Sequence, residues 1–199
     1  NYWAYGSICE DYSRIQAATM IAGGFSDGYT SPAFRMMDSL TCPKKAIIGP
    51  WAHGYGFEAV PGPDIAFLGE CARWFDQWLK GKDTGIMDEP DLKVYVQTGR
   101  KPEVYHGHEE GHWKGLPLPL SEVTEEKILY LSEDGSVGED MGSGKISYYS
   151  KDLSVGFGSG TWCPFGGPQD WPADQKKIDE KCLSFDSAPL TAPLTMLGI

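Results

Sequence analysis

The strongest constraint on this chain is a pair of short apolar runs, each ending in a turn and each followed by a segment of helix length. Ala17-Ala18-Thr19-Met20-Ile21-Ala22 closes on Gly23-Gly24, and Lys45-Ala46-Ile47-Ile48-Gly49 closes on Pro50. Neither run alternates polar with apolar residues, which is the pattern of a strand covered on both faces. Ser31 followed by Pro32 predicts a helix start, with Ser31 as N-cap and Pro32 at the first helical position. Ala33, Phe34, Met36, Met37 and Leu40 supply the apolar side of that helix, which stops before Pro43. A second helix is predicted from a cap at Asp64 to Lys80, with Gly81 ending it. Its apolar residues Phe67, Leu68, Cys71, Trp74, Phe75, Trp78 and Leu79 fall at three- and four-residue steps, a broad buried face. Strand, helix, strand, helix is the order of a parallel α/β sheet.

The texture changes near residues 83–91. Leu92–Gln97, Lys127–Leu131, Lys145–Tyr149 and Cys182–Phe185 alternate as half-exposed strands do, and no helical period interrupts them. Residues 1–88 therefore read as an α/β part and residues 89–199 as the start of a β-rich part. The stretch from Gly156 to Pro172, rich in Gly and Pro, reads as a connection between strands.

Charge narrows the partners. The chain carries 17 Lys and Arg against 28 Asp and Glu, a net charge of −11, with no basic stripe. A nucleic-acid partner is not expected. No apolar run approaches the length of a bilayer span, so no membrane partner is expected either. The five cysteines, Cys9, Cys42, Cys71, Cys163 and Cys182, are scattered and form no C-x-x-C pair. They read as mostly buried free thiols of a reducing compartment, which favours the cytoplasm. The start at Asn1 and the apolar end at Ile199 suggest an internal piece of a longer polypeptide.

Two segments of the α/β part carry chemistry. Gly23-Gly24-Phe25-Ser26-Asp27-Gly28-Tyr29 places an acid in the turn after the first strand. Gly49-Pro50-Trp51-Ala52-His53-Gly54 places a histidine in the loop after the second. Ligands of parallel α/β sheets bind beyond the carboxyl ends of the strands, and neighbouring strands lie about 5 Å apart, so two such loops can meet. An acid preceding a histidine is the latter part of the order Ser, Asp, His used by α/β-hydrolases. A serine hydroxyl is a weak nucleophile until a base takes its proton, and a carboxylate on the far ring nitrogen fixes the tautomer of that base. Asp27 is assigned as the orienting acid and His53 as the general base and acid. Tyr29 and Trp51 flank the pair and are candidates to line a substrate pocket.

At these residues the chain resembles the peptidase S15 / cocaine esterase family. Gly-Gly-Phe-Ser-Asp-Gly-Tyr and Gly-Pro-Trp-Ala-His look like its acid and histidine motifs. Tyr2-Trp3-x-x-Gly6-Ser7-x-Cys9-Glu10-Asp11-Tyr12, Arg73-Trp74-Phe75-Asp76-x-Trp78-Leu79-Lys80-Gly81 and Cys182-Leu183-Ser184-Phe185-Asp186-Ser187-Ala188-Pro189-Leu190 are similar to further stretches of it. The resemblance spans nearly the whole chain. It implies the carboxyl-terminal part of an α/β-hydrolase domain, over residues 1–88, and the opening of a β-jelly-roll, over residues 89–199. It also implies an acyl-serine mechanism on small esters, amides or X-Pro peptides, without a cofactor; self-association is left open.

The serine itself is not assigned: it would belong to a Gly-x-Ser-x-Gly elbow, and no such motif is read in this chain. Ser7 and Ser26 are not read as elbow residues, and Gly158-Ser159-Gly160 lacks the spacing of one. The elbow, the oxyanion donors and a helical cap are expected before Asn1 in a longer parent, and these 199 residues alone are expected to be inactive. His106, His108 and His112 spell H-x-H-x3-H, but their setting reads as a solvated loop, and no metal site is assigned. Gly142-Ser143-Gly144-Lys145 fails as a phosphate loop because Glu139 replaces the leading glycine and Ile146 the hydroxyl residue. The rival to the hydrolase reading is a non-catalytic, hydrolase-like protein whose jelly-roll recognises peptide or carbohydrate.

Overall fold

Short apolar residues without alternation make a strand that can be buried on both sides, and the chain uses the second run in that way. In the computed structural model, residues 2–197 are described apart from 100, 102, 104, 142–144, 146, 149–151, 168, 169 and 173. A helical turn α1 (Tyr2–Tyr5) precedes strand β1 (Thr19–Gly24), helix α2 (Thr30–Ser39), strand β2 (Lys44–Gly49) and helix α3 (Phe67–Lys80). Strands β3 (Leu92–Gln97) and β4 (Gly111–Leu116) follow, then β5 (Tyr130–Leu131), β6 (Val137–Gly138) and a last turn of helix, α4 (Lys176–Asp179). Four strands form one sheet in the order β1-β2-β3-β4. The first two pairings are parallel and the third antiparallel, a mixed α/β sheet.

The register of β1 on β2 sets up the site. Thr19 lies opposite Lys44 and Gly24 opposite Gly49, so both strands end at one level and their following loops leave the same edge. On one face of the sheet, Ile21, Ala46, Ile48, Leu92, Val94 and Leu116 meet Ala33, Phe34, Met37 and Leu40 of α2 and its C-cap. On the other, Ile47 packs with Trp51, Ala59 and Ile65. Burial of side chains of this size contributes roughly 1.5–3 kcal/mol each relative to exposure. The sheet also holds a charge: Lys45, 5% exposed, donates to the carbonyls of Met87 and Glu89 and to Asp91. A buried ammonium needs such partners, and these three tie β2 to the segment that leads into β3.

The helices begin elsewhere than capping residues predict. Helix α2 starts at Thr30 with Tyr29 as N-cap, not at Pro32 after Ser31. The Thr30 hydroxyl donates to the carbonyls of Gly24 and Asp27, anchoring the first turn to the end of β1, while Pro32 sits where a missing N–H costs nothing. Helix α3 starts at Phe67 rather than after an Asp64 cap, and ends as predicted on Gly81 at φ 63°. Of its apolar side chains Trp74 is buried, whereas Leu68, Phe75, Trp78 and Leu79 are exposed. A helix buries only the side that meets another element, and the rest of this wide stripe meets none among the described residues.

The sheet runs straight through the expected division at residues 88 and 89, because β3 pairs in parallel with β2. Strand β4 was hidden in the sequence by its glycines. Gly111 lies against the Val96 carbonyl, where a Cβ would come within 2.2 Å of the oxygen. Beyond β4 the described residues hold a two-stranded β5–β6 ladder and a bridge from Ser136 to Asp186. Of the predicted strand Lys127–Leu131 only Tyr130 and Leu131 pair, and Cys182–Phe185 forms no strand. Ile146 and Tyr149 of the predicted strand Lys145–Tyr149 lie outside the described residues, as do Gly142, Ser143 and Gly144; Lys145, Ser147 and Tyr148 are not in a strand. Alternation prepares a face, but a strand exists only with a hydrogen-bonded neighbour, and a two-stranded ribbon is marginal alone. No helix among the described residues is long and apolar enough to cross a membrane.

Candidate active site

The two loops leaving the β1–β2 edge are laced together by their backbones. The Phe25 N–H donates to the Gly49 carbonyl at 2.9 Å, and the Ser26 N–H to the Trp51 carbonyl at 3.1 Å. Gly24 permits this approach: a Cβ there would stand 1.9 Å from the Trp51 oxygen. Trp51 anchors the second loop from below. It is 2% exposed, donates its indole N–H to the Pro63 carbonyl and packs on Ile47 and Ala59. A pocket-lining role for Trp51 is therefore corrected to a supporting one, since a ring this deeply covered has no open face.

The lacing brings Asp27 and His53 together. Oδ2 of Asp27 lies 3.0 Å from Nδ1 of His53. The acid is the more sheltered of the two, its side chain 14% exposed against 44% for the imidazole. The other carboxylate oxygen, Oδ1, accepts the Tyr29 N–H at 2.9 Å and faces the Cys163 thiol at 3.8 Å. Its orientation is thus held from three sides. Tyr29 is exposed, with its ring 5.7 Å from that of His53.

Nothing in the order of residues points to 162–165 as part of this site. The Gly- and Pro-rich stretch expected to be a mere connection lies over the Asp27–His53 pair. The His53 N–H donates to the Pro164 carbonyl at 2.8 Å. Phe165 meets the imidazole edge-on at 5.0 Å, and Trp162 does the same to Tyr29 at 5.3 Å. Two aromatic residues in a loop were the only available signal. Cys163 is half-buried rather than buried, and Cys9 and Cys182 are exposed, so the expectation of mostly buried thiols is corrected; all five are free.

The expectation that no elbow motif is present is corrected: Gly24-Phe25-Ser26-Asp27-Gly28 has the literal spacing of one. The backbone does not make one. An elbow strains its serine between strand and helix, whereas no described non-glycine residue has positive φ, and α2 begins only at Thr30. The hydrogen bond of the His53 ring goes to Asp27, not Ser26. The three-histidine motif also comes apart. His106 pairs with Glu109 and His108 bridges to Gly62. His112 stands on β4 opposite Val96, not in a loop. Among the described residues these rings form no ligand cluster; the group that does combine His, Asp and Cys is His53, Asp27 and Cys163.

A carboxylate paired to an imidazole beyond the ends of adjacent parallel strands, acid before histidine, is an arrangement of α/β-type hydrolases. Comparison with known proteins leads the same way. Residues 1–55, which include both side chains, match the family model of X-Pro dipeptidyl-peptidase (S15 family). Two relatives named as candidate serine esterases, one from Mycobacterium bovis and one from Mycobacterium tuberculosis, are each 31% identical over 215 residues. The alignments take in 100% of this chain and 31% of each relative. The chain is thus similar to the S15 family over residues 1–55 and to these two relatives over its whole length. It spans about a third of the length of these curated relatives.

Proposed function

We propose that this chain supplies the acid and the base of a serine hydrolase that cleaves small acyl esters or amides, X-Pro peptides among them. The observation that carries the reading is the 3.0 Å contact of Asp27 Oδ2 with His53 Nδ1 at the level where β1 and β2 end. Asp27 accepts a hydrogen bond from Nδ1–H and so fixes the tautomer, which leaves Nε2 as the base. His53 takes the serine proton as the hydroxyl attacks the acyl carbon, then gives it to the departing alcohol or amine. Asp27 remains ionised and steadies the imidazolium formed in between.

The serine and the oxyanion donors stand, in this reading, in the part of the relatives' length that the chain does not span, and the 199 residues alone do not turn over substrate. Tyr29 forms a wall of the acyl site beside His53. From residue 89 onward the chain first completes the α/β sheet with β3 and β4, and the residues beyond β4 are read as the opening of a jelly-roll, a reading supported by the β5–β6 ladder, the Ser136–Asp186 bridge and the likeness to the family. The test is His53→Ala in the full-length protein, assayed with an activated ester and an X-Pro amide. Turnover of both should vanish while a fluorophosphonate probe of the serine labels more slowly; near-normal turnover refutes the assignment.

A further inference from the structure

Cys163 adds a third kind of donor to the Asp27–His53 pair. One carboxylate oxygen, one ring nitrogen and one sulfur, drawn from loops 26 and 110 residues apart, all lie within 4.8 Å of one another. A tetrahedral zinc with bonds of about 2.0–2.3 Å to such atoms spaces them roughly 3.3–3.6 Å apart. One carboxylate oxygen, Oδ1, stands 3.8 Å from the sulfur, and the other, Oδ2, 3.0 Å from the imidazole. Since no pair of ligand atoms is more than 4.8 Å apart, closing the cluster on an ion needs movements of up to roughly 1.5 Å, within reach of side-chain rotation. The charges also suit a dication: a carboxylate and a thiolate neutralise it, and the net charge of −11 favours its approach. His53, nearly half exposed, leaves a side on which water completes the shell.

We infer that Asp27, His53 and Cys163 form a site for a thiophilic divalent cation, with Zn2+ the best match of donor softness and geometry. Binding replaces the thiol proton of Cys163 by the metal and releases that proton to solvent. The ion occupies the carboxylate and the imidazole together, so the relay cannot move a proton while it is bound. Metal binding stands on the cluster alone; its inhibitory consequence rests on the serine-hydrolase reading above. The metal is a reversible blocker here and takes no part in the reaction.

The experiment separates the two claims. Co2+ alone, titrated into the reduced 199-residue chain, should give a thiolate-to-cobalt charge-transfer band in the near ultraviolet at one equivalent, and Zn2+ should bleach it. The band should be lost in Cys163→Ser and its affinity should fall more than about tenfold in His53→Ala, while Cys182→Ser and Cys42→Ser keep it. No band in the wild-type chain, or a band that survives Cys163→Ser, overturns the site. Circular dichroism of each variant checks that the fold is retained, and Cys163→Ala provides a second removal of the sulfur. In the full-length protein, Cys163→Ser should raise the half-inhibitory Zn2+ concentration more than about tenfold. Equal inhibition of both proteins overturns the blocking role even if the cobalt band is present.

Discussion

Gly24→Ala tests how the two loops are held together. The added Cβ would lie 1.9 Å from the Trp51 carbonyl oxygen, and real Cβ atoms essentially never come closer than 3.0 Å. The chains must part by about 1.1 Å, the difference between those two distances. Both atoms belong to backbone, so no rotamer relieves the contact. A shift of that size passed to the side chains takes the Asp27–His53 pair from 3.0 Å to about 4 Å, outside hydrogen-bond range. Overpacking of this kind costs about 1–3 kcal/mol, and a 1 Å misplacement of a catalytic group costs about 100-fold in turnover. Urea denaturation of the chain reads the first quantity, and ester hydrolysis by the full-length protein reads the second. Gly23→Ala is the control, because its Cβ would meet the movable end of Ile48 at 3.2 Å and should cost under about 1 kcal/mol. If Gly24→Ala behaves like Gly23→Ala in both assays, the lacing of the loops does not position the relay.

Three further outcomes are expected. Asp27→Asn keeps the acceptor for the Tyr29 N–H but leaves the wrong tautomer on His53, so kcat in the full-length protein should fall about 10⁴-fold with KM little changed; a loss under tenfold would contradict the role. Ile48→Ala, at a fully buried position of the central strand β2, should cost about 2–5 kcal/mol in chemical denaturation. Burial works against the charge of Glu89, but Arg73 and Lys93 outweigh it and hold its carboxyl below the usual carboxylate range. With the folded value below the unfolded one, the stability it supplies is complete above the ordinary value of about 4.3 and is lost as pH falls through the folded value. The margin of wild type over Glu89→Gln, about 1 kcal/mol at neutral pH, should therefore shrink on acidification in a urea series; a margin that grows would reverse the argument.

Some of this was legible in one dimension. The runs that become β1 and β2 needed no partner to be recognised, because a strand covered on both faces must be apolar throughout. Asp27 and His53 were found by their position after those strands, and Gly81 by the left-handed turn that ends α3. The start of α2 departs from the local signals of Ser31 and Pro32 because Thr30 is fixed by carbonyls six and three residues back. Strand β4 escaped because Gly111 and Gly115 suppress strand preference, and their use is set by the strand and the proline that lie against them.

What the chain's order of residues determined was local: which segments can be buried strands, where turns fall, and which ionisable groups sit at strand ends. Tertiary structure decided everything that depends on distant neighbours. It put β3 beside β2, covered Trp51, and brought Trp162, Cys163 and Phe165 onto the Asp27–His53 pair more than a hundred residues earlier. The physical reason is that apolar pattern and turn chemistry are properties of adjacent residues, while burial and proximity arise only after the backbone has closed its loops. A carboxylate and an imidazole can be named from a sequence; the 3.0 Å between them is made by the sheet.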